Sequence, residues 1–382
     1  MKYINLGNTG LRVSAIALGC EGFMGKTPEQ VRSDFDFAEK LGINFFDCYS
    51  SNPDLRSAFG AALEGRRERY VIQGHLCSYW ENGQYDRTRD VEKVKVAFDD
   101  LLTRFGTDYV DVGMIHYVDD EADFHKVFDG DVIKYALQLK SEGVIRHIGI
   151  SSHNPLVAKM AVESGLVEVL LFSINPCYDM QPPTEEVEDL WAEKNYEHPL
   201  ENIAPEREAL YEFCERCGVG IDVMKVYGGG DILSETDSPF GKALTPVQCM
   251  EYALTRPSVA AVMCGCKTTD EIKAAAAWCD ASESEKDYAS VMAQMKKFTW
   301  RGHCMYCGHC APCSAGIDIA SVNKFLKLAG QEGEIPETVR EHYKVLDSHA
   351  SDCLQCGLCE DRCPFGVHII ESMQRAAERF GF

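Results

Sequence analysis

Residues 1–295 alternate short, nearly unbroken apolar runs with longer stretches in which apolar positions return every three or four residues. The runs are Val13 to Gly19, Ile43 to Tyr49, Tyr70 to Leu76, Tyr109 to His116, Ile145 to Ser151, Val167 to Ile174, Val219 to Val226 and Val259 to Cys264. A run with no polar face has nothing to give to water, as expected of a parallel strand covered on both sides, and a helical pattern follows each one. Pro28, Pro53, Pro155, Pro205 and Pro246 stand where those helices should begin, at positions whose N–H would be unpaired in any case. Eight such units predict an α/β fold, a (β/α)8 barrel with its functional residues at the carboxyl ends of the strands. The opening YINLGNTGLRVS predicts a hairpin turning at Asn8 to Gly10 that plugs the opposite end. Two loops at the functional end are long, Pro176 to Ala204 (with Pro182, Pro183 and Trp191) and Gly228 to Leu244, and such loops commonly shape a substrate pocket. The eighth barrel helix is expected near Ala281 to Lys297.

Beyond residue 295 the pattern changes. IASVNKFLKLAG carries Ile319, Val322, Phe325, Leu326 and Leu328 at helical spacing and ends on Gly330; Pro336 to Leu346 and Ile369 to Phe380 predict two more helices. Around them lie two cysteine sets: Cys304, Cys307, Cys310 and Cys313, then Cys353, Cys356, Cys359 and Cys363, the last followed by Pro364. The second set is the C-x2-C-x2-C-x3-C-P run of bacterial ferredoxins, and the first shortens its last gap by one residue. Zinc sites use pairs of thiols, and a disulfide scaffold belongs to oxidising compartments; three thiols at successive two-residue gaps instead wrap one face of a cubane. Two [4Fe-4S] clusters are expected. In two-cluster ferredoxins the fourth cysteine of each run serves the other cluster. That pattern groups Cys304, Cys307, Cys310 and Cys363 at one cluster, and Cys353, Cys356, Cys359 and Cys313 at the other. The division expected is therefore a barrel over residues 1–295 and an α-helical ferredoxin-like domain over 296–382.

The net charge of −22 argues against nucleic acid and anionic membrane as partners, since both need basic surface. Residues 296–382 carry 10 Lys and Arg against 11 Asp and Glu, so nearly all of the excess sits on the barrel. An acidic electron carrier of the ferredoxin kind would meet less repulsion at the tail. The N-terminus MKYINLGNTG has no apolar signal region and no stretch approaches membrane-spanning length, from which a cytoplasmic location is expected. The ten other cysteines fall mostly in apolar runs and are expected to pack as small hydrophobes, as are Cys214 and Cys217 in their C-x2-C.

KYINLGNTGLRVSAIALGC, GINFFDCYSS, LLTRFGTDYVDVGMIHY and IRHIGISSHN resemble the first, second, fourth and fifth strand regions of the aldo/keto reductases. The tail motifs CMYCGHCAPC and CLQCGLCEDRCPFG look like those of the ferredoxin-tailed members found largely in anaerobes. The resemblance implies a (β/α)8 enzyme reducing carbonyls with NADPH through an Asp, a Tyr, a Lys and a His. Asp47 matches the Asp and His116 the His, whereas Asn52 stands at the Tyr position and His75 at the Lys position. An amide is no useful acid, so another group must serve: Asp47 and His75 as a carboxylate–imidazole pair, Tyr49, or His116. For the nucleotide, the resemblance points to Ser151, Ser152, Asn175, Lys225 and Gly229, and to Gly265, Lys267 and Thr268 at a helix start suited to a phosphate.

The favoured expectation is an iron–sulfur oxidoreductase relaying electrons between an external carrier and a small-molecule substrate or cofactor in the barrel. The alternatives are an NAD(P)H-dependent carbonyl reductase with structural clusters, and a non-enzymatic electron-transfer or sensor subunit.

Overall fold

The computed structural model describes residues 1–382 except 187–189, 191–199, 237, 239, 294–297, 300–301, 303 and 331–332. Eight parallel strands close a barrel: β1 (Ile16–Gly19), β2 (Phe45–Cys48), β3 (Val71–Leu76), β4 (Val110–Ile115), β5 (Ile145–Ser152), β6 (Val169–Ser173), β7 (Gly220–Met224) and β8 (Val259–Cys264), each beside the next and β8 beside β1. All eight fall on the apolar runs of the sequence. Alternate residues form two layers: Ala17, Phe45, Val112, Met114 and Leu171 fill the barrel interior, while Ile16, Phe46, Ile72, Ile150 and Phe172 pack outward under the helices.

The prolines open their helices as expected. Thr27 and Thr245 make reciprocal capping boxes ahead of Pro28 and Pro246, and Asn52 and Asn154 cap the helices that begin at Pro53 and Pro155. The N-terminal hairpin pairs Tyr3–Asn5 with Arg12–Ser14 and lies against the start of β7, where Asn8 N–H donates to Gly218 O at 2.8 Å. Gly7 has φ +53°, and a Cβ there would collide with the Gly220 amide, so the plug demands glycine.

Two expectations change. The helix after β8 is Thr269–Ala276; over 281–293 the described residues make single turns, Glu283–Lys286 and Ala289–Met292, and 294–297 lie outside the described residues. Asp287 accounts for the break, because its backbone leaves the helical region and its carboxylate accepts from Ser290 N at 2.8 Å, starting a new turn. The C-x2-C pair splits: Cys214 is buried, whereas Cys217 faces solvent. Of the long loop after β6, Trp191 lies outside the described residues.

The tail is helical, with Ile319–Ala329, Glu337–Lys344, Leu358–Arg362 and Ile369–Phe380, joined by an apolar seam that includes Val322, Tyr343, Met373 and Phe380. It docks on the outside of the barrel. Lys327 pairs with Glu208 and Glu212 of the helix Pro205–Cys217, and Lys324 with Glu215 of the same helix.

Candidate functional site

Asp47, His75 and His116 come from the carboxyl ends of three consecutive strands, and all three are buried. His75 Nε2 lies 2.9 Å from Asp47 Oδ1, and His75 Nδ1 lies 2.8 Å from His116 Nδ1. The outer nitrogen of His116, Nε2, is hydrogen-bonded to the hydroxyl of Tyr85. These four side chains form one row. Burial, with repulsion from His75, Arg89 and Arg87, holds the His116 imidazole well below its ordinary pKa, so it is neutral at neutral pH.

Tyr85 reaches the row on a hairpin that no expectation included. Strands Ser78–Glu81 and Gln84–Arg87 pair antiparallel across the two-residue turn Asn82-Gly83, with φ values of +54° and +78°. Two left-handed residues make the turn that suits a tight hairpin, and Asn-Gly is its strongest sequence signal. The base of the hairpin is clamped. Ser51 Oγ donates to Tyr79 O at 2.6 Å, and Arg87 Nη1 and Arg89 Nη1 donate to Tyr117 O and His116 O at 2.8 and 2.9 Å.

Beneath the row Gln73, two residues before His75 on the same face of β3, donates from Nε2 to Asp47 Oδ1 at 3.0 Å and to Asp222 Oδ2 at 3.1 Å. Asp222 enters from β7 across the barrel. Its burial, with the Asp47 carboxyl nearby, pushes its pKa well up. A lone Asp in the apolar GIDVM run and a Gln in phase with His75 were the signals for this layer.

Tyr49 stacks its ring on His116 at 5.9 Å between centroids, and its hydroxyl makes no hydrogen bond among the described residues. Burial pushes that phenol up, as it does the Tyr85 phenol, so what separates the two is that Tyr85 is hydrogen-bonded to His116 and Tyr49 is not. Asn52, at the family's Tyr position, is spent on structure: its Oδ1 accepts from Asp54 N and Leu55 N, each at 3.0 Å.

The nucleotide positions divide. Asn175 and Lys225 meet, Asn175 Nδ2 donating to Lys225 O at 2.9 Å, but Asn175 Oδ1 already caps Cys177 and Tyr178. The Ser152 hydroxyl is committed to Val118 O and Asp119, whereas Ser151 makes no side-chain hydrogen bond among the described residues. Gly229, with φ +75°, lies in the turn after β7 with open space at its Cβ position. Gly265 follows β8 directly, and Thr268 caps the next helix. There Glu271 accepts from Lys267 N at 2.6 Å, and Asp270 stands with it in the first turn.

In the tail two small cavities are lined by cysteine. One is bounded by Cys304, Cys307, Cys310 and Cys363, the other by Cys313, Cys353, Cys356 and Cys359. Ile319, Phe365 and Ile369 wall the first; Ile317, Leu354 and Leu358 wall the second. Burial pushes the Cys304 and Cys310 thiols up to about 12. Among the described residues no three Cys, His, Asp or Glu side chains are placed to hold a single metal ion. A mononuclear site draws its ligands to about 2.3 Å from one atom, whereas a cubane stands between its thiolates and spreads them.

Residues 15–244 match the model of the aldo/keto reductase family. The chain belongs to that family. It is an oxidoreductase of the aldo/keto reductase type, and such enzymes act on small molecules. An uncharacterized oxidoreductase of Bacillus subtilis, YqkF, is 27% identical over 321 residues, covering 79% of this chain and 99% of the relative. L-galactose dehydrogenase of Arabidopsis thaliana is 32% identical over 156 residues, 38% of this chain and 47% of that one, so the chain spans about half the length of that relative. Among solved structures, the aldo-keto reductase AKR11C1 from Bacillus halodurans (holo form) superposes with a TM-score of 0.58 at 24% identity over 75% of this chain and 94% of its own, a likeness of fold. The family match leaves residues 245–382 outside it. No helix among the described residues is long and apolar enough to cross a membrane.

Proposed function

We propose that this aldo/keto reductase is an iron–sulfur oxidoreductase that relays electrons between an external carrier and a small-molecule substrate or cofactor in the barrel. The observation that carries the reading is the membership of the two tail cavities. Each is lined by three successive cysteines of one set and the last cysteine of the other, the crossed grouping that two-cluster ferredoxins use. When bound, two [4Fe-4S] clusters supply single-electron transfer, and together the two electrons that a carbonyl–alcohol interconversion needs.

Of the two protons that accompany those electrons, the barrel's own row handles the one on the substrate oxygen, and the one on carbon is exchanged with water. With Asp47 as a carboxylate, His75 donates Nε2–H to it and accepts at Nδ1 from His116 Nδ1–H, which leaves His116 Nε2 to accept from Tyr85. Tyr85 thus turns its oxygen lone pairs outward, ready to take the proton of a substrate hydroxyl while its own proton moves to His116. The reverse sequence protonates a carbonyl oxygen. Gln73 holds Asp47 in place from below.

The external carrier is assigned to the tail, where Leu354 and Leu358 stand exposed beside Cys356, on the part of the chain with little net charge. The test is anaerobic purification with iron and sulfide analysis, followed by reduction of a carbonyl panel with reduced ferredoxin or viologen. Iron and sulfide sufficient for two clusters, and turnover lost on Cys→Ala change in both sets, are expected. Full NADPH-linked turnover without iron would overturn the reading in favour of a conventional reductase.

A further inference from the structure

Arg256 is one of the largest fully buried side chains in the protein, 1% exposed, at the end of the helix Pro246–Leu254. Its Nε and Nη2 donate to neutral oxygens only: Tyr252 O at 3.2 Å, Thr255 Oγ1 at 3.0 Å, the Tyr288 hydroxyl at 3.2 Å and Met305 O at 2.6 Å. Its Nη1 has no hydrogen-bond partner, and it forms no ion pair among the described residues. The nearby buried carboxyl, Asp179, is already used by Arg207, Tyr211 and Tyr252. Burial pushes the Asp179 pKa up, which weakens it further as a counter-ion. Two guanidinium groups and at most one carboxylate are therefore shut away from water together, and a buried charge without a partner is costly.

The missing negative charge has a place. Met305, whose carbonyl Arg256 and Tyr288 both hold, lies between Cys304 and Cys307 in the chain. Arg256 also lies 5.6 Å from the centroid of the Tyr306 ring, the next residue along. A [4Fe-4S] cluster with four cysteinates is a dianion in its oxidised form and a trianion after one-electron reduction. A fixed buried cation beside it offsets the first charge and favours the second, and net charge around a cluster is one of the levers that sets its potential.

We propose that Arg256 is the buried counter-charge of the iron–sulfur site at Cys304, Cys307, Cys310 and Cys363, and that it raises the reduction potential of that site above what its apolar walls alone would give. This rests on the iron–sulfur reading above. Arg256 acts through its field and through Met305, as a positioning residue, and touches no substrate.

The test uses full-length protein with reconstituted clusters, in a redox titration followed by EPR, with iron and sulfide measured on every sample. In Arg256→Gln one of the two clusters becomes at least tenfold harder to reduce, a shift of about 59 mV for a one-electron couple. The other cluster changes less than threefold, and Arg256→Lys restores most of the difference. If Arg256→Gln fails to hold iron, Thr255→Asp decides, because it leaves the guanidinium in place and sets a carboxylate against it; the same cluster again becomes at least tenfold harder to reduce. Fully loaded variants with both potentials unmoved overturn the role of Arg256 and leave the clusters standing. Wild-type protein without iron and sulfide overturns the iron–sulfur reading itself, and this proposal with it.

Discussion

His75 and His116 face each other nitrogen to nitrogen, Nδ1 to Nδ1 at 2.8 Å. The two facing nitrogens share one hydrogen, so the tautomer of each ring fixes that of the other. The partners at the two ends then choose the direction: a carboxylate at His75 Nε2 and a phenol at His116 Nε2. A proton entering at Tyr85 moves every hydrogen in the row one place toward Asp47. The family's lysine could not sit in such a row, because an ammonium donates on every side and cannot receive. With His75 in its place, a phenol on a different element can act where Asn52 cannot.

Tyr85→Phe keeps the hairpin and the ring and removes only the hydroxyl. Turnover of a carbonyl–alcohol pair should fall by roughly 10²- to 10⁴-fold with a small change in KM, the size expected for losing a general acid or base. Tyr49→Phe should cost less than about tenfold, since that hydroxyl has no partner among the described residues and its ring remains against His116. Steady-state kinetics of the two variants side by side distinguish them; equal losses would shift the role to Tyr49.

The low pKa of His116 has a consequence for stability. Below the ordinary histidine value of 6.5 the unfolded chain binds a proton that the native imidazole refuses, so acidification favours unfolding. Asp222 works in the opposite sense: its raised pKa makes the native state bind the extra proton above 3.8, and stability falls as pH rises through that window. The two offset each other in the wild type, so the comparison must be between variants. Relative to His116→Gln, the wild type should lose about 1.4 kcal/mol per pH unit as pH falls below 6.5, until the native imidazole itself titrates. Urea unfolding between pH 7.5 and 5 at about half-unit steps measures this; parallel curves for the two proteins would contradict it.

Asn52 gives a structural counterpart. Its Oδ1 satisfies two N–H groups at the start of the helix Pro53–Leu63, so Asn52→Ala should cost about 1 kcal/mol of stability, while Asn52→Ser or Asn52→Asp costs less. Asn52→Tyr reinstates the family's residue type yet should lose the same cap and bring no NADPH-linked activity, because His75 stands where the lysine would lower the phenol's pKa. Thermal melts and a nucleotide-linked assay on the same protein test both halves.

How far the sequence reveals this site depends on the kind of signal each residue carries. The strands are legible because consecutive apolar positions have one physical explanation, and Asp47, His75 and His116 are legible because each ends such a run. Tyr85 is not found by that route, since strand alternation in SYWENGQYDR is short and mostly exposed; the Asn82-Gly83 turn was the available clue. Gln73 and Asp222 required knowing that β3 and β7 face each other through the barrel interior. The helix start at Thr268 reads as an anion site from spacing alone, but the spacing does not say that Glu271 folds back onto Lys267 N. The break at Asp287 is equally hidden, because an Asp within an apolar periodic stretch fits a helix until its own carboxylate finds Ser290.

The crossed cysteine grouping makes the most discriminating prediction. Cys313 follows Cys304, Cys307 and Cys310 along the chain but lines the cavity of Cys353, Cys356 and Cys359, while Cys363 lines the other, the grouping expected from the ferredoxin pattern. Alanine offers no replacement ligand, so each single change should remove one cluster and about half of the iron and sulfide. Residues serving one cluster act as a unit, and their losses should not add. Cys304→Ala with Cys363→Ala should therefore retain as much iron as either change alone, whereas Cys304→Ala with Cys313→Ala should lose both clusters. An uncrossed arrangement gives the opposite result for both pairs, so iron content and EPR spin counts on these two double variants decide which cysteines share a cluster.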